Sequence, residues 1–498
     1  MASIIDPYMI LGVSRDATLD DIKTAYRRIA RRLHPDVNQN NPGANAQFQD
    51  VSQAYDILMD PVRKQDHDGK LRSQRSSGDF SFTLRVTPSK RAVMPLQEPQ
   101  VIYLLAEIIP DPRAREMDLK RESRVNLTLV LDHSNSMNGI RLDKVKVAAH
   151  QIIDQLNETD ILSVVTFNDR AEVLIPATPV NNKPSLKTRI SMMGASGGTE
   201  IFNGLSAGVE QNRRYLGPKL VNHIILLTDG NTFGDQDKCL ELARTASREG
   251  ISVSAMGLGQ EWNDEFLDSL ASTTGGTSSY INSANAVVQF LNDHVRNLSN
   301  AFAERVRISI APDPDVRIES AFKLAPHPQP LTTAESFLQL GSLQANRLIS
   351  VLLQFQLPPN MPTGFRSVAR LAAQGDVLVN TQQSYMGLSD ISIEVTDQPP
   401  PEDPPVAIMD ALGKLTLYRM QERAQEALAS GDIQEATRRL ENLATRLLAI
   451  GEETLANQAR SEAQRVANTS NLSDQGRKTL KYQTRYLLLG GASEEGTE

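Results

Sequence analysis

Five oxygen-bearing side chains in this 498-residue sequence have the types and spacing to hold a hard metal ion. Asp132, Ser134 and Ser136 follow one another in LVLDHSNSM, Thr199 lies in SGGTEI, and Asp229 lies in LLTDG. Two carboxylates and three hydroxyls form an all-oxygen set, which favours Mg²⁺ (or Mn²⁺), an ion that takes about six oxygens near 2.0–2.1 Å. Asp-x-Ser-x-Ser alone also suits the cap of a helix beginning near Gly139. His133 is adjacent, but alternate residues of an extended loop point apart, so neither base nor nucleophile faces the set. That predicts recognition rather than catalysis, and no enzyme. His150, His223 and His294 fall on helix or strand faces without liganding partners at useful spacing and read as ordinary residues. The single cysteine, Cys239, excludes an internal disulfide and a cysteine-built zinc site, and is expected to be a small core residue.

A second set lies near the N-terminus. Ile22, Ala25, Tyr26, Ile29 and Leu33 recur at helical spacing and predict a buried stripe. Arg27, Arg28, Arg31 and Arg32 concentrate positive charge on the opposite side. Pro35 must end the helix, because the residue before proline is pushed out of the α region. His34 and Asp36 are therefore expected in a rigid, exposed turn. Phe48, Val51, Ala54, Tyr55 and Leu58 predict a second helix packed antiparallel to the first.

The elements that must position these residues follow from periodicity. Residues 80–123 and 306–396 alternate like strands, and neither is long enough alone for a comfortable core. They are expected to pair into one β-sandwich. Between them, VNLTLVLD, DILSVVTF, AEVLIP, VNHIILLTD and GISVSAMGLG alternate with helices near 140–157, 184–193, 202–215, 236–249, 263–273 and 284–304. Such alternation predicts a parallel sheet, whose loops converge at the carboxyl ends of its strands. A Pro-rich spacer at 397–405 precedes three or four helices over 406–490, with stops at Gly431, Gly451 and 468–473. Residues 491–498 form an acidic tail.

With these residues in place, DPYMILGV…IKTAYRRIARRLHPDVN…FQDVSQAYDILMDPVRKQDHDG resembles the J-domain of DnaJ-type co-chaperones over nearly all of 5–69. The resemblance implies that His34, Pro35 and Asp36 stimulate ATP hydrolysis by a DnaK-type chaperone, with Arg27, Arg28, Arg31 and Arg32 as the docking face. Tyr8, Leu11 and Gly12 match the family's opening motif and are expected to be structural. His67-Asp68 stands where many members have Tyr-Asp. Neither a Gly/Phe-rich region nor paired-cysteine repeats follow, so client choice is expected to lie elsewhere in the chain.

The DxSxS, SGGT and TDG series resembles a von Willebrand factor A (VWA) domain over about 124–305. It implies a metal-ion-dependent adhesion site of Asp132, Ser134, Ser136, Thr199 and Asp229. In such sites the hydroxyls tend to contact the metal and the aspartates often act through water, leaving one position open for a partner's acidic residue.

The expectation is thus a multidomain α/β protein: a helical J-domain (1–70), a linker (71–79), a Rossmann-like VWA domain (124–305) inserted in the β-sandwich, and a C-terminal helical bundle. It would act as a co-chaperone adaptor that binds a protein partner through Mg²⁺ and recruits a DnaK-type ATPase. An interaction scaffold working with a MoxR-type AAA+ ATPase, or in a bacterial conflict or signalling system, is the rival reading. There the J-domain serves only for docking. The formal net charge of −8, from 52 Lys+Arg against 60 Asp+Glu, argues against nucleic acid as the partner. No apolar run approaches the ~20 residues of a membrane span, and the expected compartment is the cytoplasm.

Overall fold

The computed structural model of the protein describes residues 7–11, 18–33, 42–65, 80–116, 124–217, 219–231, 234–333, 337–378 and 384–489. Three helices open the chain: α1 (Pro7–Leu11), α2 (Leu19–Leu33) and α3 (Pro42–Met59). Their core is Tyr8, Leu11, Ile22, Ile29, Val51, Ala54 and Leu58, with Tyr26 stacked on Tyr55 at a centroid distance of 4.0 Å. Ile22, Ala25, Tyr26 and Ile29 of the stripe read from spacing therefore face the core, while the Leu33 side chain lies outside the described residues.

Strands β1 (Phe82–Pro88), β2 (Ala92–Val93) and β3 (Gln100–Pro110) come next. The α/β segment then supplies β4 (Arg124–Asp132), α4 (Ile140–Gln155), β5 (Ile161–Phe167), β6 (Ala171–Pro179), α5 (Lys183–Ser191) and α6 (Ile201–Arg213). It continues with β7 (Leu220–Thr228), α7 (Gln236–Arg248), β8 (Ser252–Leu258), α8 (Asp264–Thr274), β9 (Ser278–Ile281) and α9 (Ala284–Ser299). The sheet order is β6-β5-β4-β7-β8-β9. Helices cover both faces, so β4, β5 and β7 are buried almost throughout, as a parallel sheet in the middle of an α/β layer requires. Cys239 lies in this core, and burial pushes its thiol up to about 12.

Three expectations need correction. β6 runs antiparallel to β5, so the sheet is mixed. The connection is only 168–170, and a parallel return needs a crossover of a dozen or more residues. β9 was not foreseen, because four residues carry no readable alternation. Finally, α9 stops at Ser299, and β10 (Ala301–Pro312) begins where helical periodicity still continues. Pairing of that stretch with two other strands overrides its local preference.

The remaining strands are β11 (Arg317–Ala325), β12 (Gln329–Leu331), β13 (Phe337–Gln344), β14 (Ile349–Leu357), β15 (Gly364–Val377) and β16 (Ser384–Val395). One sheet is ordered β1-β3-β14-β11-β12 and the other β13-β10-β15-β16-β2. Each joins strands from before the α/β segment to strands from after it, so the α/β domain is an insertion into a β-sandwich. One core is shared by both parts, including Phe82, Ile102, Leu104, Phe302, Leu340, Phe355 and Leu371.

Helices α10 (Val406–Ala429), α11 (Ile433–Ala449), α12 (Glu453–Thr469) and α13 (Asp474–Tyr486) finish the chain. Gly431 and Gly451 separate them at φ near +85°, where a side chain is strained. α10 lies on the sandwich through Ile408, Ala411, Leu415 and Tyr418 against Leu105, Phe322 and Leu352.

Candidate functional site

The carboxyl ends of β4 and β7 bring Asp132 and Asp229 together, as parallel neighbours must. Ser134 lies just past β4, and its backbone N–H donates to Asp132 Oδ1 at 2.8 Å. The Ser134 and Ser136 hydroxyls are 3.0 Å apart, and Ser136 Oγ donates to Asp229 Oδ1 at 2.7 Å. Thr199 closes the cluster: a Cβ on Gly230 would lie 3.1 Å from its Oγ1. The five residues named from sequence thus meet at one edge of the sheet. None of their side chains caps α4, whose N-cap is Gly139 at φ +80°.

The loop bearing Thr199 is held by the turn between β5 and β6. Asn168 Nδ2 donates to the Ser196 carbonyl at 2.9 Å, and Gly198 N donates to Asp169 Oδ1 at 3.0 Å. Gly197 is required here, because a Cβ would meet Asp169 Oδ2 at 2.8 Å and its φ is +76°. His133 turns away from the cluster, its Nδ1 donating to the Gly194 carbonyl at 2.8 Å.

Burial pushes the Asp132 carboxyl above its ordinary range, and the nearby Asp229 charge adds to this. Hydrogen bonds from Ser134 and Thr228 oppose it. Asp132 is fully buried with its charge only partly offset, an arrangement that a nearby cation stabilises. Among the described residues, no three His, Cys, Asp or Glu side chains form a metal-binding group. The candidate cluster instead combines two carboxylates with hydroxyls, a donor set suited to a hard ion that keeps some of its water.

Two contributors escaped the sequence reading. Thr228 Oγ1 donates to Asp132 Oδ2 at 2.6 Å, and Arg141 Nη1 donates to Asp229 Oδ2 at 2.6 Å. Thr228 could have been found as the residue before Asp229. Arg141 stands five residues past Ser136, in the first turn of α4, and only the fold shows which way it points.

His223 and His294, read as ordinary, meet within the α/β domain where it borders the sandwich, their Nε2 atoms 3.1 Å apart. His327 lies beside them, at a ring distance of 6.5 Å from His294. His150 Nε2 donates to the Lys187 carbonyl at 3.1 Å on a surface helix.

In the N-terminal unit Arg27 is exposed. His34, Pro35, Asp36, Gly12, His67 and Asp68 lie outside the described residues, as do the side chains of Arg28, Arg31 and Arg32.

The chain matches the DnaJ domain over residues 6–68, the von Willebrand factor type A domain over 126–295, and the Sll0103-like C-terminal alpha-helical domain over 406–490. It is 31% identical over 386 residues to the uncharacterized protein sll0103 of Synechocystis sp., covering 75% of this chain and 91% of that one. It is 46% identical over 82 residues to the chaperone protein DnaJ of Halothermothrix orenii, a match to 16% of this chain and 22% of the chaperone. In fold it is similar to the von Willebrand factor type A protein from Catenulispora acidiphila, with a TM-score of 0.65 and 15% identity over 82% of this chain and 96% of that one. The ArnB paralog VWA2 from Sulfolobus acidocaldarius follows at a TM-score of 0.52 and 13% identity, over 82% and 100% of the two chains.

Proposed function

The chain belongs to the Sll0103-like family of von Willebrand A proteins, here with a DnaJ domain ahead of it, and on that premise we propose that it is a J-domain adaptor. Its VWA domain would bind a protein partner in a Mg²⁺-dependent way, and its J-domain would bring a DnaK-type ATPase to that partner. The observation carrying this reading is one chain that joins a DnaJ domain to a converged cluster of two buried carboxylates and three hydroxyls.

Ser134, Ser136 and Thr199 would hold the ion through their hydroxyls, with Asp132 and Asp229 supplying its countercharge. Bound there, the ion supplies an electrophilic position for a partner's carboxylate. The protein's own residues orient that position: Ser134 N and Thr228 Oγ1 fix the two oxygens of Asp132. Near neutral pH His34 and Asp36 would act at the chaperone, and Arg27, Arg28, Arg31 and Arg32 would steer its docking. Recognition at both sites would make the chain an interaction protein.

Two measurements test the two halves. The full chain should stimulate ATP turnover by a DnaK-type chaperone, and His34→Gln should remove the stimulation while leaving the fold intact by circular dichroism. A wild-type chain without effect on turnover ends the co-chaperone half. At [Mg²⁺] near 100 times Kd, bound ion should add about 2.7 kcal/mol to stability. Asp132→Ala should lose that shift in thermal unfolding, and an equal shift in both chains would place the ion elsewhere.

A further inference from the structure

The adhesion-site reading leaves Arg141 unaccounted for. Its Nη1 donates both to Asp229 Oδ2 at 2.6 Å and to the Ser136 carbonyl at 3.2 Å. A guanidinium cannot be deprotonated in a protein, so this is a permanent cation on a carboxylate that the ion also needs. The two positive charges repel each other, and both gain from the same aspartate.

Arg141 is bounded on its other side by the loop after β8. A Cβ on Gly259 would lie 3.3 Å from Arg141 Nη2, and Gly259 has φ +76°. This residue is strapped in place: its N–H donates to the Ile281 carbonyl at 3.1 Å, and its carbonyl accepts from Trp262 Nε1 at 2.9 Å.

The C-terminal helical domain in turn holds that loop. Lys478 of α13 is buried and donates through Nζ to the Trp262 carbonyl at 2.6 Å and to the Gln260 carbonyl. The same ammonium stands 4.3 Å from the Trp262 ring centroid. Gln260 Nε2 donates to Gln475 Oε1 at 3.2 Å. α13 thus holds residues 259–262, and the Gly259 backbone stands beside the Arg141 guanidinium that donates to Asp229.

We propose that Arg141 competes with the metal ion for Asp229, and that the C-terminal helical domain sets the strength of this competition by fixing the 259–262 loop through Lys478. The proposal rests on the adhesion-site reading. Lys478 is a positioning residue, acting on the site only through the loop and Arg141.

The test is Mn²⁺ affinity of the full chain, read from the free-ion paramagnetic resonance signal. Arg141→Gln should tighten binding by roughly tenfold. Lys478→Met should tighten it by roughly fivefold, and Lys478→Arg should restore the wild-type value. Because both act on one path, Lys478→Met should add nothing in the Arg141→Gln background. Unchanged or weaker binding in Arg141→Gln overturns the competition. An equal effect of Lys478→Met with or without Arg141 overturns the path. If Lys478→Met does not fold, Gln475→Ala is read instead and should tighten binding by about twofold; no change overturns the path. Absence of Mn²⁺ binding in both the wild type and Arg141→Gln overturns the adhesion-site reading itself.

Discussion

The two ends of the chain are attached to its middle in opposite ways. At the N-terminal end, Asp50 of α3 meets Arg370 of β15 at 2.6 Å, each side chain about a quarter exposed. Arg370 is already held within its own sheet by Asp390, at 2.7 and 2.9 Å, and lends one further N–H to Asp50. At the C-terminal end, α13 meets α8 in a buried network. Arg477 and Lys481 take Asp264 at 2.6 and 2.5 Å, and Lys481 and Arg485 take Asp268. Burial alone would raise both aspartates. The charges of Lys481 and Arg477 around Asp264, and of Arg485 and Lys481 around Asp268, hold both below the ordinary range instead. Arg485 also lies over the Tyr418 and Tyr482 rings, at 5.2 and 4.9 Å.

The difference separates a module that rests on the body from one that is part of it. A partly exposed ion pair contributes about 0–1 kcal/mol, whereas removing one partner of a buried pair costs about 3–5 kcal/mol because the other charge is stranded. A unit seated through a pair like Asp50–Arg370 would separate from the body at lower cost than one held by a buried network. A C-terminal domain locked by stranded-charge penalties can transmit position to the α/β domain, as the Lys478 path requires.

The sharpest way to break this contrast is Arg485→Met. It removes one of the two cations on Asp268, leaving Lys481 as the other, and should destabilise the chain by about 3 kcal/mol in chemical denaturation, with amide exchange rising first in α13. A loss below about 1 kcal/mol would make the two ends equivalent.

A second measurement probes the junction between the α/β domain and the sandwich, which is also buried but whose histidines lack carboxylate partners. Burial lowers His294 to about 4 and His327 to about 3, and holds His223 well below its ordinary value. The other charged or titratable groups there are Lys323, lowered by burial to about 8, Glu304, raised by burial to about 8, and Arg347. Below pH 6.5 the unfolded histidines take up protons that the folded ones refuse, so stability falls. Glu304 opposes this with a single proton, because its raised value favours the folded chain at low pH. Three histidines outweigh it, and stability should fall by on the order of 2 kcal/mol per pH unit from about 6.5 toward 4. A flat profile over that range would place water in contact with the rings.

The smallest effect belongs to the N-terminal seat. Asp50→Asn should cost less than about 1 kcal/mol and leave the unfolding of the α/β domain unchanged, while faster tumbling of the first three helices appears in NMR relaxation. A cost above about 2 kcal/mol would show the J-domain to be as firmly fixed as α13.

Much of the protein was legible in its sequence. Most of the strand and helix alternation over 124–305, the pairing of two strand-rich segments into one sandwich, and the three or four expected terminal helices follow from periodicities of 2 and 3.6 and from Gly and Pro stops. The cluster of Asp132, Ser134, Ser136, Thr199 and Asp229 was legible because a parallel sheet must bring strand ends together, whatever the sequence between them. β6 was misread in direction because only the length of its turn decides that.

What the tertiary structure alone decided lies between elements far apart in sequence. Arg141 on Asp229, Lys478 on the Trp262 loop, and His223 against His294 are separated by 88, 216 and 71 positions. Periodicity reports which face of an element is buried, but not what stands opposite it. The partner is fixed by how layers stack, and a charge becomes a latch or a competitor only once that stacking has removed water and placed the opposing group within reach.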